Sequence, residues 1–395
     1  MKKTIRDYNL ENKKVLIRCD FNVPLSNGQI TDDNRIKESL PTIKFAIDHQ
    51  AKTILLSHLG RVKEESDLAK NNLAPIADRL SKLLLHPVIF CNKTRGIELE
   101  NAINLMNPGD VLLIQNTRYE DLNDQKESTN NKDLAKYWAS LGDIFINDAF
   151  GTIHRSHASN VGIGELLPNG IGFLIEKELK ALEVLNHPTS PFIVLLGGAK
   201  VADKIGVIEN FIKKADSIII GGGMAFTFLK AKGYEIGKSL VDPQNIAFAK
   251  EMLDRYPNKI VLPVDVNVTT EFSNTTPNRI ASVKEISPTE MGMDLGPNSI
   301  RHIKTILTGA KLVLWNGPLG VYEMDKYQYA TKEILEYLAS TSTYTVLGGG
   351  DIVASAGELG YKDKVSHAST GGGATLEYLE GKILPGLSII NERVE

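Results

Sequence analysis

The stretch Phe192-Ile193-Val194-Leu195-Leu196-Gly197-Gly198-Ala199-Lys200 decides the fold. An unbroken apolar run of this length suits a strand buried on both faces, because a strand with one wet face alternates polar and apolar residues. A strand covered on both sides belongs to a parallel sheet flanked by helices. Two glycines close the run, and the amphipathic stretch Lys204–Lys214 that follows reads as a helix. Strand, glycine turn and helix make half of a βαβ unit.

The same rhythm extends in both directions. Toward the C-terminus the apolar runs are Ser217–Ile220, Lys259–Val264, Lys311–Trp315 and Thr343–Leu347. Met224–Lys232, Pro243–Tyr256, Ser299–Leu307 and Lys326–Ala339 are the helical stretches among them. Toward the N-terminus the runs are Val15–Arg18, Thr53–Ser57, Pro87–Phe90, Val111–Gln115 and Ile144–Asn147. Their helices are Ile36–Gln50, Leu73–Leu85, Gly96–Met106 and Asn131–Leu141. The rhythm pauses at Phe173–Leu185, a charged helix, which places a linker near 170–186. Glu120–Asn131 is polar throughout and reads as a loop. The expectation is an α/β protein with two mainly parallel sheets.

Size and charge agree. A chain of 395 residues exceeds one ordinary core and predicts two domains. A net charge of −3 supplies no overall basic field to draw the chain to nucleic acid or membrane. The two cysteines, Cys19 and Cys91, lack metal-ligand spacing. MKKTIRDYNL has no apolar stretch behind its lysines, and no run reaches the ~18 apolar residues of a membrane helix. A reduced, cytoplasmic protein is expected.

Ligands of open α/β sheets bind at the carboxyl ends of the strands. In the first half those ends carry Asp20, Asn22 and, further on, Arg35; then His58 and Arg61; then Asn116 and Arg118; then Asp148, His154, Arg155 and His157. One arginine is ordinarily a solvated charge. Four in corresponding places suit a small, highly anionic substrate, because the guanidinium fork matches carboxylate and phosphate. The histidines lack zinc-site spacing.

In the second half the ends carry Gly197-Gly198-Ala199-Lys200 with Asp203-Lys204, then Gly221-Gly222-Gly223, Asn316-Gly317-Pro318 and Gly348-Gly349-Gly350-Asp351. Ser369-Thr370 precedes Gly371-Gly372-Gly373 and a helix over Ala374–Leu379. Glycine lets backbone approach a phosphate, and a helix N-terminus offers free N–H groups. Repeated in this way, such loops point to a nucleotide. Neither standard nucleotide loop is present. Gly233-Tyr234-Glu235-Ile236-Gly237-Lys238-Ser239 is one residue short of a P-loop and follows a helix. Gly221-Gly222-Gly223-Met224-Ala225-Phe226 has Phe226 in place of the third glycine of the dinucleotide fingerprint, which argues against a nicotinamide-dependent oxidoreductase.

Taken together, the chain resembles the phosphoglycerate kinase family over nearly its whole length. The resemblance rests on Arg18-Cys19-Asp20-Phe21-Asn22-Val23-Pro24, Ser57-His58-Leu59-Gly60-Arg61, Asn147-Asp148-Ala149-Phe150-Gly151-Thr152 and His154-Arg155-Ser156-His157-Ala158-Ser159. It rests also on Gly197-Gly198-Ala199-Lys200-Val201-Ala202-Asp203-Lys204-Ile205, on Trp315-Asn316-Gly317-Pro318-Leu319-Gly320-Val321-Tyr322-Glu323 and on Gly348-Gly349-Gly350-Asp351.

The resemblance implies two Rossmann-like domains joined by a hinge helix: a phosphoglycerate-binding domain over 1–169, with 381–395 packing back on it, an interdomain helix over 170–186, and a nucleotide-binding domain over 187–380. It implies a glycolytic and gluconeogenic kinase, monomeric and cytoplasmic, with small-molecule substrates and no nucleic-acid or membrane partner. The phosphoglycerate site would comprise Asp20, Phe21, Asn22, Arg35, His58, Leu59, Gly60, Arg61, Arg118, His154 and Arg155. The nucleotide site would comprise Gly198, Lys200, Lys204, Gly222, Asn316, Pro318, Glu323, Gly349, Gly350, Asp351 and Ile352. Glu323 would hold the ribose, and Asp351 the Mg²⁺ carried by ATP or ADP. Arg35, Lys200 and the backbone at Gly372 would act on the transferring group. An acyl phosphate donor and an anionic ADP oxygen need no general base, so positioning and charge neutralisation carry the reaction. A non-catalytic nucleotide- or anion-binding protein on the same fold is the alternative. Four positions depart from the family pattern: Val62 for proline, Gln115 for glutamate, Tyr322 for phenylalanine and Ile352 for threonine, the last bringing no hydroxyl to the phosphates.

Overall fold

The computed structural model describes residues 1–393. Val394 and Glu395, the end of the segment expected to pack back, lie outside the described residues. The chain divides into two compact units, Met1–Lys180 with the chain from Ile383 onward, and Ala181–Lys382. The division falls within the helix Phe173–Glu183.

In the first unit six parallel strands run in the order Val88–Cys91, Val111–Ile114, Lys52–Leu56, Lys14–Arg18, Ile144–Asn147, Asn169–Ile171. Side chains alternate between the two faces, so neighbours in sequence enter different cores. Val15, Ile17, Leu55 and Leu113 pack on one side. Leu16, Ile54, Leu112 and Phe145 pack on the other. An apolar strand of this kind buries about 1.5–3 kcal/mol per large side chain, which explains why the runs read so clearly. The pairing register sets Arg18 level with Leu56 and with Asn147. The residues that follow these strands therefore leave the sheet at one edge. The returning C-terminal segment is tied to this unit: Lys3 N donates to Asn391 O at 2.8 Å, Gly386 N to Ile153 O at 2.8 Å, and Lys2 pairs with Glu392 at 2.7 Å.

The second unit repeats the design with the order Ile260–Val261, Ser217–Ile220, Phe192–Leu196, Leu312–Asn316, Tyr344–Leu347, His367–Ala368, again parallel. Leu196 lies level with Ile220 and Asn316, and Trp315 with Leu347. The glycine loops after these strands thus share one edge.

Elements beyond the sequence reading also appear. Asp265–Thr269, Asn278–Ser282 and Met291–Leu295 form an antiparallel sheet, and Asn169–Ile171 adds an edge strand. The expected strand Lys259–Val264 is paired only over Ile260–Val261. Among the described residues no helix is long and apolar enough to cross a membrane. Cys19 and Cys91 are free and buried.

Candidate active site

At the carboxyl edge of the first sheet the chain turns are pinned by short polar side chains. Phe21 N donates to Ser57 Oγ at 2.8 Å, and Gly60 N to Asn22 Oδ1 at 2.8 Å. Asn116 ties three segments together: its Oδ1 accepts from Leu59 N (3.1 Å) and Arg118 N (3.0 Å), while its Nδ2 donates to Leu59 O (2.7 Å) and Asn71 O (2.9 Å). Gln115 explains its own departure from glutamate. Its Oε1 accepts from Leu73 N at 3.0 Å, and its Nε2 donates to Asn92 Oδ1 at 2.6 Å, which a carboxylate cannot do.

On this frame sit the cations. Arg35, at the head of the helix Asn34–Asp48, is partly exposed and hydrogen-bonds Asp20 Oδ2. Gly151 lies against this pair, with no room there for a Cβ beside Asp20. Arg118 is buried, its Nη1 3.9 Å from Asp121 Oδ2 and its Nε without a hydrogen-bond partner. Burial draws Arg118 below the usual arginine range; Asp121 opposes this and Arg155 adds to it. Arg155 is exposed and donates through Nε to His154 Nε2 at 3.2 Å. Arg61 is exposed, with its carbonyl held by Asn71 at 3.1 Å.

Burial, then the charges of Arg18, Arg118 and Arg155, push His157 down to about 3. Burial, then the charges of Arg18 and Arg118, hold buried His58 well below the usual histidine range, with His157 and Arg35 contributing. Both imidazoles are therefore neutral near pH 7, and the positive charge of this edge comes from arginine.

Two contributors escaped the sequence reading. Arg18, counted as the end of a strand, is fully buried beneath the cations. Glu127, assigned to a polar loop, is also fully buried, and Asp121 and Glu120 from the same stretch are buried as well. Residues 120–131 supply counter-ions from within. Polarity alone carried no signal of this, because pairing partners distant in sequence decide it.

In the second unit three glycine turns meet backbone to backbone. Gly197 N donates to Asn316 O (2.9 Å), Gly198 N to Pro318 O (2.9 Å), and Met224 N to Gly198 O (3.0 Å). Gly198 and Gly222 have φ of 94° and 60°, in the left-handed region, and a Cβ on Gly222 would strike Gly198. Asn316 Nδ2 bonds Gly348 O, while its Oδ1 is buried without a partner.

Beside these turns lies a cavity of about 450 Å³ lined by Gly198, Gly222, Pro318, Glu323 and Asp351 among the expected residues. Its apolar walls, Phe226, Leu240, Met293, Leu295 and Val321, come largely from the helix Met224–Ala231 and the antiparallel sheet. The alternation Val266-Asn267-Val268 was the available signal for that sheet. Tyr322 also lines the cavity, its phenol raised by burial and by Glu323, Glu358 and Asp351. Lys238, from the rejected P-loop lookalike, lines it too, as a wall residue with no helix behind it.

Lys204 is drawn below the usual lysine range by burial, against Asp203, Asp351 and Glu380. Lys200, Gly350 and Asp351 are exposed. Gly372, with φ of 52°, caps the helix Gly373–Leu379. Ile352, expected among the phosphate-binding residues, is fully buried in the core of the unit, so its side chain does not face the loop. Among the described residues no group of three or more His, Cys, Asp or Glu is arranged to hold a metal. Asp351 alone, an exposed carboxylate at the head of the helix Gly350–Glu358, suits a hard cation whose other ligands are phosphate oxygens and water.

Comparison with known proteins bears on the whole chain. A family model described as phosphoglycerate kinase matches residues 5–382. The phosphoglycerate kinase of Enterococcus faecalis is 54% identical over 395 residues, covering 99% of this chain and 100% of that protein. That of Fusobacterium nucleatum is 53% identical over 398 residues, covering 100% of both. Among solved structures, phosphoglycerate kinase from Coxiella burnetii has a TM-score of 0.90 at 38% identity, over 98% of both chains.

Proposed function

The chain belongs to the phosphoglycerate kinase family and catalyses reversible phosphoryl transfer between 1,3-bisphosphoglycerate and ADP; from that premise we propose that the arginine-rich edge of the first unit holds the phosphoglycerate and the cavity of the second holds the nucleotide. The observation that carries this reading is Arg118, buried with its Nε unpaired among further cations. A desolvated guanidinium with a spare N–H is costly unless an anion completes it.

Asp20, Asn22, His58, Arg61, His154 and Arg155 complete the acidic-substrate site in this reading, with backbone at Phe21, Leu59 and Gly60. Gly198 and Gly222 let the nucleotide approach the backbone, Glu323 takes the ribose hydroxyls, and Lys204, Asn316, Gly349, Gly350, Asp351 and the backbone alone at Ile352 surround the phosphates. Mg²⁺ brought by the nucleotide would be held at Asp351 and would neutralise phosphate charge. Arg35 and Lys200 stabilise the equatorial oxygens of the transferring group, and backbone N–H groups behind Gly372 assist. Transfer is direct and in line. The connector over 170–186 bends to bring the half-sites of 1–169 and 187–380 together and to exclude water. A monomer in the cytoplasm completes the reading.

The test is a coupled assay of ATP formation from ADP and 1,3-bisphosphoglycerate with Arg35→Ala beside the wild type. The variant loses about 3–5 kcal/mol of transition-state stabilisation, seen in kcat, while nucleotide affinity stays near wild type. Normal turnover in the variant would remove Arg35 from the mechanism. A wild type without ATP formation would favour a binding protein on the same fold.

A further inference from the structure

Arg18 and Glu127 are both fully buried under the arginine-rich edge, and the contacts between them run in one direction. A guanidinium only donates. Arg18 Nε donates to Ser159 Oγ at 2.7 Å, one Nη donates to the carbonyl of Cys19, and the other meets His58 Nδ1 at 3.3 Å. The Ser159 hydroxyl, already accepting from Arg18, donates its own hydrogen to Glu127 Oε1. Ser159 N donates to Glu127 Oε2 at 2.9 Å, so the carboxylate is held on both oxygens.

A neutral imidazole has one N–H and one acceptor nitrogen. Because arginine cannot accept, Nδ1 of His58 must, and its single hydrogen belongs on Nε2. We propose that Glu127, Ser159 and Arg18 are positioning residues that lock His58 as its Nε2–H tautomer, so that it offers a fixed, uncharged N–H donor to an anionic group of the phosphoglycerate. This rests on the assignment of His58 to that substrate.

The groups facing His58 come from every element around it: the charged Arg18 from the strand Lys14–Arg18, Arg35 from the helix Asn34–Asp48 and Arg118 from the turn after Val111–Ile114, and the titratable but neutral His157 from the segment after Ile144–Asn147. Glu127 faces Arg18 and His157, each at 3.9 Å, and offsets part of that positive charge without touching His58. A histidinium would bind an anion more strongly, but its charge would come and go around neutral pH. A neutral donor keeps its own contribution to binding constant across that range.

The experiment is nitrogen-15 NMR of the full chain with labelled histidine, with His58 assigned by its loss in His58→Gln. The wild type should show an acceptor-type Nδ1 and a protonated Nε2, unchanged from pH 5.5 to 9. Ser159→Ala keeps both buried charges and breaks the link. It should mix the tautomers and raise KM for 3-phosphoglycerate about tenfold with KM for ATP unchanged. Glu127→Gln should do the same where it folds. A protonated Nδ1 in the wild type, or an unaltered His58 signal in Ser159→Ala, overturns the role of the chain while a raised KM in His58→Gln keeps the substrate site. An unchanged KM in His58→Gln instead removes His58 from the site and the proposal with it.

Discussion

Position 352 shows how a residue can look functional in a sequence and be structural in the molecule. Ile352 follows Asp351 in a glycine-rich loop, where a threonine hydroxyl would be well placed for a phosphate. Asp351 is exposed, yet Ile352 is fully buried, because the loop has already become the helix Gly350–Glu358 and its first inward position falls here. Restoring threonine should therefore harm stability and leave binding alone. Ile352→Thr is expected to lose about 1–3 kcal/mol in urea unfolding, the cost of burying a hydroxyl. Its KM for ADP should stay within twofold of wild type, about 0.4 kcal/mol. Tighter ADP binding would show that the side chain does reach the nucleotide. The residues of the candidate site were legible at this scale as neighbours along a sheet edge, because charged and glycine residues directly after apolar runs can only lie at the strand ends. Arg18 and Glu127 were not, since their burial depends on each other and on Ser159, three segments that the chain separates widely.

At the scale of elements, the parallel strands were readable because both faces are buried, as in Ile144–Asn147 and Phe192–Leu196, where every residue is buried. The antiparallel strand Asn278–Ser282 was not, because three of its five residues are exposed and its polar face looks like loop. The helix Phe173–Glu183 was readable as a helix, but not what holds its start. Phe173 N donates to Thr42 Oγ1 at 2.9 Å, and Asp148 Oδ1 accepts from Leu174 N at 2.9 Å and Ile175 N at 3.3 Å. Burial pushes Asp148 up to about 7, despite these hydrogen bonds and one from Thr42. Because this folded value lies above the unfolded one, the native state binds the extra proton. The stabilisation is complete below about pH 4 and is lost as pH rises through 7. Asp148→Asn has no such proton to lose. Relative to wild type the variant should gain on the order of 2 kcal/mol between pH 5 and pH 8, whatever its absolute stability. Urea unfolding at the two pH values checks this. A difference that does not change with pH would mean that Asp148 is ionised throughout.

At the scale of the whole molecule, the division of labour has a thermodynamic signature. Each unit has its own sheet and its own core, and in the proposed reading each binds a different substrate. A ligand that binds only the native form of a unit stabilises that unit by RT ln(1 + [L]/Kd), about 2.7 kcal/mol at 100 times Kd. Mg-ADP alone should therefore slow hydrogen exchange in the strands Phe192–Leu196, Ser217–Ile220 and Leu312–Asn316 by this amount and leave Lys14–Arg18 and Ile144–Asn147 nearly unchanged. 3-Phosphoglycerate alone should do the reverse. With both present, the helix Phe173–Glu183, through which the division runs, should gain protection that neither ligand gives alone, because only the doubly bound protein has reason to hold its connector in one posture. Magnesium removal by a chelator should abolish the ADP effect and spare that of 3-phosphoglycerate. Uniform protection of both sheets by ADP alone would instead mean that the two units respond as one body, and the assignment of one substrate to each would have to be abandoned.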